Sequence, residues 1–499
     1  MRVDFTADRA AGIQQVFGRS AVEIDRIAYD SRSVTPGTAF FCILGSERDG
    51  HAFIDNAAQN GAAAVIGMNA SLLEEKQQKF PGVSFILAED SQRAMSYFSQ
   101  ELYGYAYKNM HTIAVTGTNG KTTVTSFVRW LLNQSGIKTG SIGTEKVLDH
   151  KGKRNFPHST HTTPEAPDLH YIFHKFFGEK LKAVVLEVTS IAIEQRRVDG
   201  MMFDIGVLTN LTPEHIDYHD TFEQYKAAKM KLFHQVKKAV VNLDDEKMGK
   251  ELASTFAGPV LTYSMQEKGD VRASIVEIAS SGTFITLFIH DDAYDVFLPF
   301  FGTHNIANFM AAVCSCMHMN LPVSLLLKQL PGLQPPAGRF QFIDTCAKYR
   351  IISDFAHTPD ALKKVITSVK QMNYSRLILL IAGNGVRDKR QLPELAEVVQ
   401  GEADITVVAV EHPDRSERRE ILIEVLNGFT EKSAPIYTEL YRDKGVEKAL
   451  SLAGEGDLVL LTGLGSLDHQ VIEGVEVPYA EIDVIHRYLK ASKDKAGTK

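Results

Sequence analysis

The run His111-Thr112-Ile113-Ala114-Val115-Thr116, followed at once by Gly117-Thr118-Asn119-Gly120-Lys121-Thr122-Thr123, constrains this chain more than any other feature. The run, apolar or β-branched after His111, reads as a strand, the two glycines permit a tight turn, and Val124 to Leu132 carries helical spacing. A strand, a glycine loop and a helix in that order form a cradle for a phosphate chain. Backbone N–H groups turn toward the anion, and the helix N-terminus adds partial positive charge. Lys121 supplies a full charge, and the Thr122 hydroxyl can reach a Mg²⁺ ion. The first glycine of the standard eight-residue pattern would fall at Val115, so that pattern is not met to the letter. The bland alternative, a solvated lysine on a glycine turn, does not account for the flanking strand and helix.

Two further strands end in polar groups. Lys182-Ala183-Val184-Val185-Leu186-Glu187 closes on a carboxylate, and a strand-end acid near a phosphate loop is an expected Mg²⁺ or water ligand. Phe203 to Leu211 runs into Thr212-Pro213-Glu214-His215-Ile216-Asp217-Tyr218-His219. There His215 is either a ligand for a second divalent ion or a hydrogen-bonded structural histidine. Tyr225 to Phe233 reads as a helix with Lys226 and Lys229 on a solvated basic face, and spacing alone does not single out Lys229.

The 499 residues suffice for about three domains of ordinary size. Apolar runs alternating with helical patterns argue an α/β fold with parallel sheets. The Pro/Gly cluster from Pro331 to Gly338 is the best linker candidate. Beyond it, strands at Arg376–Ala382, Ile405–Val410 and Leu458–Thr462 separated by helices predict a doubly wound domain, with its site beyond the strand ends. A net charge of −7 gives no basic footprint for nucleic acid. No stretch approaches the roughly 20 apolar residues of a membrane span, and Met1 to Phe5 has no leader character, so a cytoplasmic protein is expected. Cys42, Cys314, Cys316 and Cys346 read as buried thiols rather than a zinc site.

These residues resemble the ATP-dependent Mur ligases of bacterial cell-wall synthesis, closest to the MurE type, the UDP-N-acetylmuramoyl-tripeptide synthetases. The likeness spans nearly the whole chain. It is carried by Gly117–Thr123, by Thr209-Asn210-Leu211-Thr212-Pro213-Glu214-His215, by Gly302-Thr303-His304-Asn305 and by Asp354-Phe355-Ala356-His357-Thr358-Pro359. The resemblance implies three α/β domains: a UDP-substrate domain over 1–108, a P-loop ATPase-type parallel-sheet domain over 109–335, and a Rossmann-like domain over 336–499 that binds the amino acid. It implies an ATP-dependent amide ligase that works through an acyl phosphate, with ATP and two Mg²⁺ ions, acting as a monomer. Lys121, Glu187, His215 and Lys229 would be catalytic. Gly117, Thr118, Asn119, Gly120, Lys121, Thr122, Thr123, Asn305, Arg339 and Asp354 would bind ATP. Thr122, Glu187, His215 and a carbamylated Lys229 would serve the metal ions. Ser31, Thr162, Thr163, Thr189, Gln195 and Arg197 would hold a UDP-linked muropeptide acceptor.

The likeness thins where the amine substrate is chosen. The family's Ser-Ser-His after the metal acid is Thr189-Ser190-Ile191 here, and its Gly-Lys-Gly-His-Glu is Gly463-Leu464-Gly465-Ser466-Leu467. Its Asp-Asn-Pro-Arg signature becomes Glu411-His412-Pro413-Asp414-Arg415, and the Gly383–Arg390 loop is shorter and plainer, with Arg387 and Asp388 inside it. His412, Asp414, Arg415 and Gly463 are the amino-acid site candidates. Three functions therefore compete: a ligase acting on UDP-N-acetylmuramoyl-dipeptide, a paralogue or folylpolyglutamate-synthetase-like ligase using another carboxylate, and a nucleotide-binding scaffold. The Asp30-Ser31-Arg32 region argues against the folate alternative, and retention of Lys121, Thr122, Glu187, His215 and Lys229 argues against a scaffold.

Overall fold

The structure is a computed structural model, and it describes residues 2–5, 11–45, 48–156, 160, 162–279, 281–386, 389–430 and 434–496. Proximity along the fold divides the chain into two compact units. The first comprises Met1–Leu211, Tyr218–Thr262 and Ala311–Pro322, and the second comprises Thr212–Asp217, Tyr263–Met310 and Val323–Lys499. The region expected to form the middle of the chain thus contributes to both.

The first unit opens with a five-stranded sheet: β1 (Ile13–Phe17), β2 (Arg26–Ala28), β3 (Thr38–Phe41), β4 (Ala64–Gly67) and β5 (Ser84–Ala88), in the order β1-β5-β4-β3-β2. Only the edge strand β1 runs antiparallel. β3 and β4 are buried throughout, as parallel strands covered on both faces must be.

A second sheet follows, built on β6 (His111–Thr116), β7 (Thr139–Gly143), β8 (Ala183–Glu187), β9 (Phe203–Leu208) and β10 (Val236–Asn242). These five are parallel in the order β7-β8-β6-β9-β10. β6 is therefore flanked by two later strands, and the strand order reverses around it. In such sheets the ligand crevice lies outside the carboxyl end of the strand at this switch point. Helix α1 (Lys121–Gln134) leaves β6 through the glycine loop and buries Val124, Phe127, Val128, Leu131 and Leu132 at the expected helical spacing. Helices α2 (Ser190–Glu194) and α3 (Phe222–Leu232) follow β8 and β9. Leu186, Leu208, Tyr225, Leu232 and Val241 share one apolar core.

In the second unit, strands over Val271–Ile278, Thr283–Ile289 and Asp292–Leu298 pair antiparallel, and the middle one alternates buried with more open positions. Of the linker candidate Pro331–Gly338, Pro331 and Gly332 close the short turn Leu330–Gly332 and residues 333–338 lack regular structure, and the whole stretch lies inside this unit. A parallel sheet then forms from β11 (Arg350–Asp354), β12 (Leu377–Asn384), β13 (Ile405–Glu411), β14 (Ile436–Thr438) and β15 (Leu458–Thr462), in the order β11-β15-β12-β13-β14. This is the expected doubly wound arrangement. Helix α4 (Arg442–Leu452) packs on it. β12 runs two residues past the expected end, so Gly383 and Asn384 are strand rather than loop. Cys42, Cys314 and Cys316 are buried, but Cys346 is exposed, because it sits in the turn between Gln341–Phe342 and β11. Among the described residues no helix is long and apolar enough to cross a membrane.

Candidate active site

The loop after β6 closes on backbone geometry that only glycine tolerates at Gly117. Its φ is +143°, and a Cβ there would lie 1.8 Å from Thr209 Oγ1. The turn beyond β9 supplies the loop's mould. Thr209 Oγ1 donates to Asn119 O at 2.6 Å, Asn210 Oδ1 accepts from Asn119 N at 3.0 Å, and Asn210 O accepts from Thr118 N at 2.8 Å. Lys121 Nζ curls back over the loop and donates to Gly117 O at 2.9 Å and Thr118 O at 2.8 Å. Those contacts set the ammonium over the loop that a phosphate chain would occupy.

Glu187 ends β8 fully buried, beside the first turn of α1. Thr122 Oγ1 donates to its Oε2 at 3.1 Å. Thr144, just past β7, donates from its N–H to Oε1 at 3.0 Å and from its Oγ1 to Oε2 at 3.0 Å. The approach needs Gly143, where a Cβ would stand 2.2 Å from Glu187 Oε1. Thr122 and Glu187, expected to act together, are thus brought into contact. Thr144 was not singled out from sequence, and nothing local marks it apart from the glycine before it.

Behind Glu187 lies the expected acceptor cluster. Thr163 Oγ1 donates to Glu187 O at 2.9 Å and accepts from Thr189 N at 3.2 Å. Arg197 Nη1 donates to Thr163 O at 2.7 Å, and its Nη2 donates to Gln195 Oε1 at 2.5 Å and pairs with Glu165 at 2.8 Å. Arg197 Nε is buried with no hydrogen-bond partner among the described residues. Burial raises the Glu165 carboxyl above its ordinary range, against the pull of Arg197. Thr162 joins through its Oγ1, 3.3 Å from that of Thr144. Glu165 was missed in the sequence, where it followed Thr163-Pro164 without any signal.

Lys229 corrects the sequence expectation of a solvated face. It is only 2% exposed, because α3 turns this side of the helix onto the glycine loop: Nζ donates to Gly117 O at 3.0 Å and sits 4.5 Å from the Tyr225 ring centre. Lys226 does face outward and pairs with Glu251. Ser31 is buried in the short turn Ser31–Ser33, which Asp30 caps by accepting from Arg32 N. Its carbonyl accepts from Asn60 Nδ2 at 2.9 Å. The Arg32 guanidinium lowers the Asp30 pKa.

The remaining candidates belong to the second unit. His215 has a φ of +57° and lies 3.9 Å from Glu214, whose other oxygen is 3.6 Å from His357 Nε2. Asn305 donates through Nδ2 to Phe301 O at 2.9 Å, and its buried Oδ1 has no hydrogen-bond partner among the described residues. Arg339 stacks over Phe355 at 4.3 Å. Asp354, at the end of β11, accepts from Phe340 N at 2.6 Å and Ala356 N at 2.7 Å. Burial raises its pKa, against the opposing effect of Arg339. His304, 5.9 Å from the Phe340 ring, is pushed down to about 4, by burial first and then by Lys364 and Arg339. Among the described residues no group of three or more His, Cys, Asp or Glu is gathered to hold a metal ion.

Of the amino-acid candidates, His412 (φ +41°) and Asp414 (φ +51°) are backbone anchors. His412 Nδ1 accepts from Val471 N at 2.9 Å, and Asp414 N donates to Val471 O at 3.0 Å, so a hairpin over His469–Ile472 and Val475–Pro478 pins the loop. Arg415 is exposed, and Gly463 N donates to Asp354 O at 3.1 Å. The buried charges here were not singled out in the sequence. Arg442, 1% exposed at the start of α4, donates to Glu481 Oε2 at 2.7 Å and Thr462 O at 2.6 Å, and lies 3.6 Å from Glu411 at the end of β13. Burial works against that guanidinium's charge, yet Glu481 and Glu411 hold its pKa above the ordinary value. Arg387 and Asp388 lie outside the described residues.

Three family models match the chain: the Mur ligase family catalytic domain over 23–99, the Mur ligase middle domain over 115–316, and the Mur ligase glutamate ligase domain over 338–465. A protein of Caldanaerobacter subterraneus named UDP-N-acetylmuramoyl-L-alanyl-D-glutamate–2,6-diaminopimelate ligase is 32% identical over 480 residues, covering 96% of this chain and 97% of its own. One of the same name from Geobacillus kaustophilus is 33% identical over 459 residues, covering 90% and 91%. A solved structure with that description superposes with a TM-score of 0.65 at 25% identity, covering 94% of this chain and 95% of that one.

Proposed function

The chain belongs to the Mur ligase family and is an ATP-dependent ligase of that family, and we propose on this footing that it joins an amino acid to UDP-N-acetylmuramoyl-L-alanyl-D-glutamate in peptidoglycan synthesis. One observation carries the assignment. Glu187 binds the phosphate-loop hydroxyl of Thr122 through its carboxylate and the acceptor cluster at Thr163 through its carbonyl, so nucleotide loop and acceptor cluster are one hydrogen-bonded structure.

Lys121 and the loop N–H groups bind the phosphates and neutralise charge on the transferring group. Arg197, held flat by Thr163, Gln195 and Glu165, presents its remaining Nε–H to an acceptor oxygen. The acceptor carboxylate attacks the γ-phosphorus, the bond to ADP breaks, and an acyl phosphate results. The neutral amine then attacks the acyl carbon, the carbon–oxygen bond to phosphate breaks, and the amine loses a proton. Asn305, Arg339 and Asp354 are assigned to ATP, the buried Asn305 Oδ1 being an acceptor suited to a base amino group. Ser31 is assigned to the uridine end, and His412, Asp414, Arg415 and Gly463 to the amino acid.

The hydroxyl of Thr122 and the carboxylate of Glu187, hard oxygen donors in contact, suit Mg²⁺. His215 and Lys229, the latter as a carbamate, are assigned to complete two such sites. When bound, the ions would offset phosphate charge. We further assign residues 1–108 to the UDP end, 109–335 to ATP and 336–499 to the amino acid, in a monomer of the cytoplasm; each matched family span falls inside one of these ranges.

Mass spectrometry of the products from ATP, UDP-N-acetylmuramoyl-L-alanyl-D-glutamate and mixed amino acids tests this. The acceptor should gain one amino-acid residue, and ADP release should require both acceptor and amine. ADP release with other carboxylates alone would indicate a different acceptor. ATP binding without any release would indicate a scaffold.

A further inference from the structure

Tyr225 lies on α3, on the same face as Lys229 and one turn before it. It is fully buried, and its hydroxyl lies 3.0 Å from Thr118 Oγ1, inside the phosphate loop. The two oxygens are 107 residues apart in sequence, and either can donate. The ring does separate work. It carries the Lys229 ammonium at 4.5 Å on one side and packs against His219 at 5.3 Å. His219 is itself buried and hydrogen-bonded through Nε2 to Ser190 Oγ at 2.9 Å, so the ring is held from behind by the turn that follows Glu187.

The loop is otherwise moulded by backbone and by the Thr209-Asn210 turn, which fix Gly117, Thr118 N and Asn119. Those contacts act on backbone atoms of the loop, and the Tyr225 hydroxyl adds one to the Thr118 side chain. We propose that Tyr225 is a positioning residue for the nucleotide. Through its hydroxyl it locks Thr118 and so pre-sets the loop in its anion-accepting shape, while touching neither substrate. The binding free energy of ATP is then not spent on ordering the loop. The proposal rests on the assignment of ATP to Gly117–Thr123, and its test is arranged so that the two can fail separately.

Tyr225→Phe removes the hydroxyl and leaves the ring that supports Lys229 and His219. Thr118→Val removes the same bond from the other side. ATP affinity, by calorimetry with Mg²⁺, and kcat are measured for wild type, both single variants and the double variant, with thermal melting to confirm folding. Tyr225→Phe should weaken ATP binding about fivefold, the ordinary worth of one buried neutral hydrogen bond, with kcat at saturating ATP changed less than twofold. The double variant should bind ATP no more weakly than Thr118→Val alone, because one bond is lost in each case. Unchanged affinity in Tyr225→Phe, losses that multiply in the double variant, or a fall in kcat without a change in affinity would each overturn the proposal. A wild-type chain that binds no ATP would instead sink the nucleotide assignment.

Discussion

At the carboxyl end of β6, polar groups from four elements converge on one carboxylate and one glycine loop, and most of them are hydroxyls and backbone groups. At the carboxyl ends of β12, β13 and β15 the arrangement is different: two buried carboxylates, Glu411 and Glu481, close on one buried guanidinium, Arg442. Both sit where an α/β sheet places its ligands. The first keeps the Lys121 ammonium over the glycine loop, whereas the second sets its charges chiefly against one another. A site made of hydroxyls around one acid is a binding surface. A cluster whose charges are mutually compensated is first a structural joint.

Breaking the first region should affect chemistry and spare the fold. Lys121→Ala should lower ligation by about 10³-fold or more, since a full charge at the transferring phosphate is lost, while circular dichroism stays unchanged. Turnover within tenfold of wild type would remove the phosphate-loop role. Breaking the second should do the reverse. Arg442→Ala leaves two buried carboxylates without their cation and should cost about 3–5 kcal/mol of stability, read as a lowered urea midpoint. A loss under about 1 kcal/mol would show that Glu411 and Glu481 find other partners.

Acid should weaken both units through their buried histidines. Burial pushes His170, in the first unit, down to about 3, and His304, in the second, to about 4. Each is neutral when folded, and the unfolded chain takes up a proton near pH 6.5. Their contribution is therefore fully present above 6.5 and is lost as pH falls from 6.5 toward the folded values. At pH 5 each should cost about 2 kcal/mol. Urea midpoints at pH 7 and pH 5 check this: His170→Phe and His304→Gln should each lose less stability on acidification than wild type. An identical loss in all three would assign the acid sensitivity elsewhere.

Much of the first region was legible before any coordinates. Strand His111–Thr116 begins and ends where its residues predict, and the helix after the loop buries the expected face. Glu187, read as a strand-end acid, and Thr163, Thr189, Gln195 and Arg197, taken from the family resemblance, fall into one cluster. Lys229 was misjudged on pattern alone, because two lysines one turn apart look alike until the helix has a neighbour. Thr144 was invisible for the same reason, since its role exists only once β7 lies beside β8. In the second region the motif letters pointed at His412 and Asp414, which anchor backbone, and passed over Arg442.

Glycine geometry, strand alternation and helical periodicity belong to a few consecutive residues. For that reason the amino-acid order by itself determined the phosphate loop, the parallel α/β class and the strand-end acid. Which hydroxyls meet that acid, which lysine is buried and which charges cancel depend on residues far apart in the chain: 65 separate Thr122 from Glu187, and 39 separate Arg442 from Glu481. Hydrogen bonds and ion pairs act over a few ångströms, so only the packed sheets, by bringing those positions within reach, could decide them.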